Sequence, residues 1–229
     1  LQRIINNKWK HPYACAHLKL TLSQIYNQAI KDGIIYPINL AQDLELPKVV
    51  KTETRFFSDE EMQKILQIDF DPQDRLYIDI LRNTGMRPSE ALALKYEDIY
   101  DDHIHVCRSL DYADAGTLIK NTKTNVERDI PLNAYMRSKL ISGGQNEGFI
   151  FTVNGKLYTR SNYTVLSRRI LSMIMSAIGD VSIVMYSFRH TFATQLYYYG
   201  CRSGIISTKA AARIMGHSEQ MFISRYTHI

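Results

Sequence analysis

Cysteine is scarce in this chain, and its few copies are widely separated. The 229 residues include three cysteines, Cys15, Cys107 and Cys201. No two of them form a C-x-x-C pair, so the sequence predicts neither a disulfide framework nor a zinc site. This pattern favours a reducing, cytoplasmic location.

Sequence patterns typical of cofactor sites are also missing. The chain has no G-x-x-x-x-G-K-[ST] loop for binding nucleotide phosphates. His103 and His105 share one face of a predicted strand, but no third ligand follows at metal-binding spacing. We therefore expect neither a cofactor nor a metal ion.

Long hydrophobic runs are few, and none predicts a membrane span. The first ten residues mix three cationic side chains with Asn and Gln, unlike a signal peptide. The most apolar tract, residues 170–188, is interrupted by Gly179 and Asp180 and diluted by four serines. A buried helix followed by a buried loop fits it better than a membrane span, so no membrane partner is expected.

The composition is that of a globular protein with a mild positive charge. Hydrophobic residues make up 45% of the chain, and 28 Lys and Arg stand against 23 Asp and Glu, a formal net charge of +5. The length allows one large or two small domains. The charge is compatible with a nucleic-acid partner without requiring one.

The first part of the chain predicts one helix and then a linker. Apolar residues recur at helical spacing from Pro12 to Lys31, and Gly33 and Pro37 end the pattern. Residues 38–54 have no helical period and contain Pro47. Fewer than forty residues precede this linker, too few for a core of their own, so we expect 1–54 to be the end of a helical domain plus a linker.

A second domain is predicted to begin near Arg55. Ser58 is a predicted N-cap with Glu61 completing a capping box, and Phe57 and Met62 are placed as a hydrophobic staple. Helical periods are predicted at 71–85, 132–141, 159–177, 188–199, 208–215 and 219–226, and strands at 103–107, 117–120 and 126–130. The fold class is therefore α+β, mainly α-helical, with a small antiparallel sheet.

Two arginines lie in contexts that suit phosphate binding. Arg87 precedes a short helix containing Glu90, and a helix amino terminus with an arginine fork favours anions. Glu90 could reach back to hold Arg87 or cap its backbone amide; an ordinary capped helix with a surface arginine is the simpler alternative. Arg189 opens an apolar helix and needs an anionic partner, either a protein carboxylate or a bound phosphate.

A tyrosine near the end of the sequence stands nine residues after a histidine. A phenol has a pKa near 10 and is a poor nucleophile unless cationic or hydrogen-bonding neighbours activate it. Tyr226 is singled out among fifteen tyrosines by its spacing from His217. The consecutive run Tyr197–Tyr199 is predicted to serve packing.

Four motifs resemble the tyrosine recombinase (phage integrase) family in residue type, order and spacing. They are T-G-M-R-P-S-E at 84–90, N-T-K-T-N-V-E-R-D-I-P-L at 121–132, Y-S-F-R-H-T-F-A-T at 186–194, and G-H at 216–217 followed by Y-T-H at 226–228. The resemblance implies a catalytic domain at 55–229. It also implies that 1–54 are the C-terminal remnant of the family's core-binding domain.

The resemblance also implies a role for each matching residue. Arg87 and Arg189 correspond to the family's two catalytic arginines, His217 to the histidine of its L-G-H motif, and Tyr226 to its nucleophile. Lys123, five residues before Arg in K-x-x-x-x-R-x-I-P-L, matches the general acid. Residues 121–125 are predicted to turn the strand at 117–120 into the next strand, which places both Lys120 and Lys123 near a hairpin tip. Lys120 is the alternative, and simple solvation on a turn is the ordinary role of either lysine.

Tyr186 is the one departure from the family pattern, which most often has histidine at this position. A tyrosine hydroxyl can donate a hydrogen bond, but it is a weaker proton acceptor than an imidazole. We therefore predict that Tyr186 positions the transition state rather than transfers a proton.

The predicted function is a site-specific recombinase or integrase of a phage or mobile element. Such an enzyme breaks and rejoins DNA strands through a covalent 3′-phosphotyrosine. The implied partners are double-stranded DNA and further copies of the chain, with a tetramer on DNA and a monomer in isolation. A type IB topoisomerase-like enzyme and a catalytically weak DNA-binding relative are the alternatives.

Overall fold

The computed structural model describes residues 2–3, 12–48, 55–113, 116–121 and 127–226. The chain divides into two compact units, Leu1–Glu53 and Thr54–Ile229.

The first unit is built around one long helix. Helix α1 spans Pro12–Lys31, the predicted bounds. Ala41 and Leu44 are buried with Cys15 of this helix, and Lys19 Nζ donates 2.8 Å hydrogen bonds to the carbonyls of Gln42 and Leu44. The part of the predicted linker up to residue 48 therefore packs on the helix, and residues 49–54 lie outside the described part of the chain.

The second unit opens with two capped helices. Helix α2 spans Asp59–Gln67 and begins with the predicted capping box, in which Ser58 Oγ accepts from the Glu61 amide at 3.2 Å and Glu61 Oε2 accepts from the Ser58 amide at 2.9 Å. Helix α3 spans Pro72–Thr84 and ends at Gly85 in the left-handed conformation, with a φ of 61°. These local predictions are confirmed because each cap is set by residues within one turn.

Gly85 also allows two helices to approach closely. A Cβ atom added at this position would lie 2.3 Å from Cδ1 of Phe192, far inside van der Waals contact. The end of α3 therefore packs directly against Phe192 of a later helix, and a side chain at position 85 would prevent this contact.

The strands form two separate antiparallel pairs rather than one sheet. They are β1 (His103–Val106), β2 (Arg108–Ala113), β3 (Gly116–Asn121) and β4 (Arg128–Pro131), after a short helix α4 (Pro88–Ala91). Strand β1 pairs with β4, and β2 pairs with β3. The sequence did not predict β2 and placed β3 in a hairpin with the following strand. Most of β3 is exposed, so apolar alternation could not indicate its partner.

The remaining helices follow the predicted periods closely. They are α5 (Ala134–Ile141), α6 (Arg160–Ile178), α7 (Tyr186–Gln195), α8 (Thr208–Met215) and α9 (Glu219–Tyr226). A π-helical turn at Leu196–Cys201 continues α7. Only Tyr197 of the predicted packing run contacts the core, since Tyr198 and Tyr199 are 45% and 60% exposed. The mainly helical class with small antiparallel strand pairs is confirmed.

The described residues of the second unit form two hydrophobic cores. The larger core combines α2, α3, β1, β4, α5 and α6, with Phe188 from α7. The smaller core lies between α7, α8 and α9 and includes Ala193, Met215, Phe222 and Tyr226. Among the described residues, no helix has both the length and the apolar character needed to cross a membrane.

Candidate active site

Five of the six predicted site residues line one cleft of about 470 Å³. They are Arg87 before α4, Tyr186 and Arg189 on α7, His217 after α8 and Tyr226 at the end of α9. Positions separated by up to 139 residues in sequence thus meet at one place. The sixth, Lys123, lies outside the described residues.

Lys120, the alternative to Lys123, does not lie on a turn. It belongs to β3, where it pairs with Ser109 of β2 and forms an exposed ion pair with Asp111. Its side chain lines a neighbouring cleft of about 450 Å³ that shares Arg87 and Tyr186 with the first. The prediction that Lys120 lies at a hairpin tip was wrong, because β3 pairs with the preceding strand β2 and not with the following strand β4.

Glu90 holds Arg87 in place from within the same short turn. Its Oε1 accepts a 2.6 Å hydrogen bond from Arg87 Nη1, and its Oε2 accepts a 2.9 Å bond from the Arg87 amide. Glu90 therefore performs both functions considered in the sequence, holding the side chain and capping the backbone. Arg87 is 9% exposed, which excludes the surface-arginine alternative.

Arg128 is a third buried arginine that sequence reasoning did not identify. Its Nη2 and Nη1 donate to the two carboxylate oxygens of Glu90 at 2.6 and 3.2 Å, and its Nε donates to the carbonyl of Ile214 at 2.8 Å. Arg128 is the arginine of the K-x-x-x-x-R-x-I-P-L pattern. In the sequence analysis this pattern was used only to identify Lys123. Through these bonds Arg128 connects β4 with Glu90 of α4 and Ile214 of α8.

Glu90 remains ionised although its side chain is fully buried. Burial alone would raise the pKa of Glu90, but hydrogen bonds and charge from Arg128, with the charge of Arg87, lower that pKa to about 2. A carboxylate in this position gives both arginines a fixed geometry.

Arg189 is buried, 2% exposed, without a carboxylate partner among the described residues. Its guanidinium donates to the carbonyl of Gly85 at 2.6 Å, to the carbonyl of Met215 and to Nε2 of His217 at 3.0 Å. Burial, together with the charge of Arg87, lowers its pKa to about 10, so it stays positive at neutral pH. Of the two partners considered for Arg189, a protein carboxylate is not found among the described residues.

The described residues leave the cleft with an excess of buried positive charge. Arg87 and Arg189 line the cleft, and Arg128 bonds to the same carboxylate as Arg87. Among the described residues, Glu90 is the single carboxylate that pairs with any of these three arginines. Burying an unpaired charge costs several kcal/mol unless an anion or strong dipoles compensate. The arrangement is that of an anion-binding site.

His217 is neutral, and its hydrogen bond to Arg189 determines where its proton lies. Burial, followed by the charges of Arg189 and Arg87, lowers the pKa of His217 to about 3. A guanidinium can only donate, so Nε2 accepts and the ring proton lies on Nδ1. Among the described residues, Nδ1 is a buried atom with no hydrogen-bond partner. Its proton is therefore not used within the described part of the chain.

Gly216 connects these groups at the end of α8. It adopts the left-handed conformation, with a φ of 62°, and its carbonyl accepts from Arg87 Nη2 at 3.4 Å. A Cβ atom here would lie 3.3 Å from the Arg128 side chain. The positive φ favours glycine before His217, and a side chain there would also have to displace Arg128 by a few tenths of an ångström.

Tyr226 lies in the smaller core and also lines the cleft. It is 1% exposed, and its ring stacks parallel to that of His217, with 6.2 Å between centroids. Burial raises the pKa of Tyr226, and the charges of Arg189 and Arg225 oppose only part of that rise. The hydroxyl lies 3.3 Å from Nδ1 of His190.

Tyr186 lies at the first turn of α7 and is 39% exposed. Its ring packs 5.9 Å from the ring of His190. Its hydroxyl makes no hydrogen bond to another residue in the described part of the chain, which leaves it available to a ligand.

Comparison with known proteins identifies the family. The phage integrase family model matches residues 55–229, which is most of the chain. The chain therefore belongs to this family, that of the tyrosine recombinases.

The matching relatives carry the same family name. The chain is 25% identical over 228 residues to the tyrosine recombinase XerC of Oceanobacillus iheyensis, covering 91% of the chain and 68% of the relative. It is 26% identical over 219 residues to XerC of Staphylococcus aureus strain JH9, covering 89% and 65%. The chain thus spans about two thirds of the length of these relatives.

Solved structures share the fold. The Tn1549 transposon integrase in complex with a circular intermediate DNA matches with a TM-score of 0.78 and 23% identity, over 98% of this chain and 77% of that one. A lambda integrase tetramer bound to a Holliday junction matches with a TM-score of 0.68 and 19% identity, over 94% and 61%.

Proposed function

We propose that this protein is a site-specific DNA recombinase that breaks and rejoins strands through a 3′-phosphotyrosine at Tyr226. The observation that carries the proposal is the buried Arg189 beside Arg87, in a cleft that Tyr226 also lines. Within the described part of the chain Arg189 has no carboxylate partner, and a phosphodiester would supply an anion.

In the proposed reaction, the phosphate enters between the arginines and the tyrosine. The Tyr226 oxygen attacks phosphorus, and the pentavalent transition state carries extra charge on its two nonbridging oxygens. Arg87 and Arg189 stabilise this charge as preorganised donors, and the His217 Nδ1 proton adds a third donor. Glu90 and Arg128 keep Arg87 oriented.

The leaving group is the 5′-oxygen of the DNA, which needs a proton as its bond to phosphorus breaks. We assign this step to Lys123, on the family pattern described above. The bond from phosphorus to the tyrosine replaces the bond to the sugar, so the phosphodiester energy is conserved for the return reaction. Attack by a DNA 5′-hydroxyl then restores the strand and frees Tyr226.

Double-stranded DNA is the proposed partner, with assembly of a tetramer on it and a monomer in isolation. A tetramer on a Holliday junction is known for lambda integrase, whose fold this chain shares. The match to a transposon integrase supports an origin in a phage or mobile element.

The test is covalent capture. DNA attached to the native full-length protein would be sequenced to find its site, and that site placed in a nicked suicide duplex. We expect a protein–DNA adduct with the native protein and none with Tyr226→Phe, which loses only the attacking oxygen, while DNA binding stays nearly intact. Tyr197→Phe is the matched control and should form adducts normally.

An adduct that survives in Tyr226→Phe would show that another group is the nucleophile. Specific DNA binding without any adduct would favour the catalytically weak DNA-binding relative. Relaxation of supercoiled DNA without strand exchange would favour the topoisomerase-like alternative.

A further inference from the structure

His190 lies within hydrogen-bonding distance of the Tyr226 hydroxyl, which also interacts with the Arg225 side chain. Its Nδ1 lies 3.3 Å from the phenol oxygen, and the two ring centroids are 6.1 Å apart with a tilt of 46°. Apo catalytic hydrogen bonds are often long and tighten when substrate binds. The distance is therefore compatible with a proton-transfer contact.

The place of His190 on α7 follows from helix geometry. It stands four residues after Tyr186, so both side chains lie on the same face of the helix. Its ring is within 5.9 Å of Tyr186 and 6.1 Å of Tyr226, measured between centroids. An imidazole is thus available one turn beyond the position where this chain carries a tyrosine.

The other imidazole in the cleft is already committed to a different contact. His217 Nε2 accepts from Arg189 at 3.0 Å, and its Nδ1 carries the proton. The Nδ1 atom can therefore donate its proton, but it cannot accept one. Protonation of Nε2 would break the hydrogen bond from Arg189.

We propose that His190 is the proton acceptor for Tyr226, an inference that rests on the strand cleavage proposed above. The O–H bond of Tyr226 breaks and its proton moves to Nδ1 of His190, while the freed electron pair forms the bond to phosphorus. The bond from phosphorus to the 5′-oxygen breaks, and that oxygen takes its proton from the general acid. In rejoining, His190 returns its proton to the tyrosine.

The charges around His190 keep it neutral before DNA arrives. Tyr186 and Arg189 face it from α7, and Arg225 and Tyr226 face it from α9. Burial, then the charges of Arg225 and Arg189, lower the pKa of His190 to about 4. A bound phosphate cancels part of that positive charge and raises the basicity of His190. The phenol proton also becomes more acidic as its oxygen bonds to phosphorus.

The test isolates tyrosine activation from leaving-group protonation. The full-length protein would cleave a suicide duplex whose 5′-bridging oxygen at the scissile phosphate is sulfur, because a thiolate leaves without an acid. Single-turnover rates would be measured from about pH 6 to 9. We expect His190→Ala to cleave at least about 100-fold more slowly than the native protein. Added imidazole should restore part of the rate in proportion to its neutral form.

His190→Asn provides a second variant that keeps a polar group beside Tyr226 but cannot hold the proton. Its rate should rise about tenfold per pH unit, because hydroxide must remove the proton, while the native rate is level above about pH 7. His103→Asn, on strand β1, is the control and should match the native protein.

Two results would overturn the inference. One is a His190→Asn rate within about threefold of the native rate across the pH range. The other is a slow His190→Ala that imidazole does not rescue, together with a native-like pH profile in His190→Asn. Absence of any adduct with the native protein would instead refute the proposed cleavage itself, so the two failures are distinguishable.

Discussion

At the scale of single residues, the unusual feature of the cleft is Tyr186. Its hydroxyl makes no hydrogen bond to another described residue, and it lines the cleft with Arg189 and Tyr226. It is therefore free to donate to a nonbridging oxygen of a bound phosphate.

We predict that Tyr186→Phe lowers the cleavage rate about tenfold to a hundredfold, as expected for one lost hydrogen bond to a charged group. Tyr186→His should keep or raise activity, since it supplies a donor and a base. The measurement is single-turnover cleavage of a suicide duplex by the three proteins. Full activity of Tyr186→Phe would assign the ring to packing alone.

The ion pair of Glu90 with Arg128 allows a stability prediction at the same scale. Both side chains are fully or nearly buried, with exposures of 0% and 1%. Arg128→Met should lower the free energy of unfolding by about 3–5 kcal/mol, because it removes one of the two cations paired with a buried carboxylate. Urea denaturation would measure it.

The matched control is the double variant Arg128→Met with Glu90→Gln. It removes both charges of the pair, so its loss should be smaller than the sum of the two single losses. Strict additivity would mean that the pair contributes little coupling to the fold.

At the scale of secondary-structure elements, the two lysines considered for the proposed general acid, Lys120 and Lys123, occupy different parts of the chain. Lys120 is held in β3 by its pairing with β2 and its ion pair with Asp111. Lys123 follows β3 within the segment that leads to β4.

We predict that Lys123→Ala blocks cleavage of ordinary DNA but is largely rescued by a substrate with sulfur at the 5′-bridging position. A thiolate needs no proton to leave, so loss of the acid is tolerated. Lys120→Ala should cleave both substrates at similar relative rates. If the sulfur substrate rescues Lys120→Ala and not Lys123→Ala, the general acid is Lys120 of β3.

At the scale of the whole molecule, two neutral histidines make stability depend on pH. The pKa of His190 is about 4 and that of His217 about 3 in the folded protein, below the value near 6.5 of an unfolded chain. As pH falls below about 6.5, the unfolded chain takes up protons that the folded protein does not.

We therefore predict that the free energy of unfolding decreases as pH falls from about 6.5 toward 4. Each histidine contributes at most about 1.4 kcal/mol per pH unit, and less because both rings partly face solvent. The raised pKa of His105 has the opposite sign, and its contribution is already complete below about pH 6.5. Urea denaturation at several pH values would measure the slope.

Removing the histidines checks the cause of this slope. His190→Asn should show a shallower decline with pH than the native protein. An unchanged slope in His190→Asn would mean that carboxylates alone control the acid sensitivity.

Much of this protein was predictable from the sequence because the relevant interactions are local. The capping box of Ser58 and Glu61, the left-handed Gly85 and the hold of Glu90 on Arg87 each join residues within about one helical turn. The helices were also predictable, because apolar residues recur at helical spacing along the one face that each helix buries. The motif spacings then indicated the family, which the family model confirmed.

The tertiary structure decided the features that depend on distant residues. Arg128 reaches Glu90 across 38 positions, and β3 pairs with β2 rather than β4. Whether Arg189 has a carboxylate partner, and which nitrogen faces the Tyr226 hydroxyl, depend on how α3, α7, α8 and α9 pack together. Sequence spacing carries no information on such contacts, because they are fixed only when separate elements bury their apolar faces against one another.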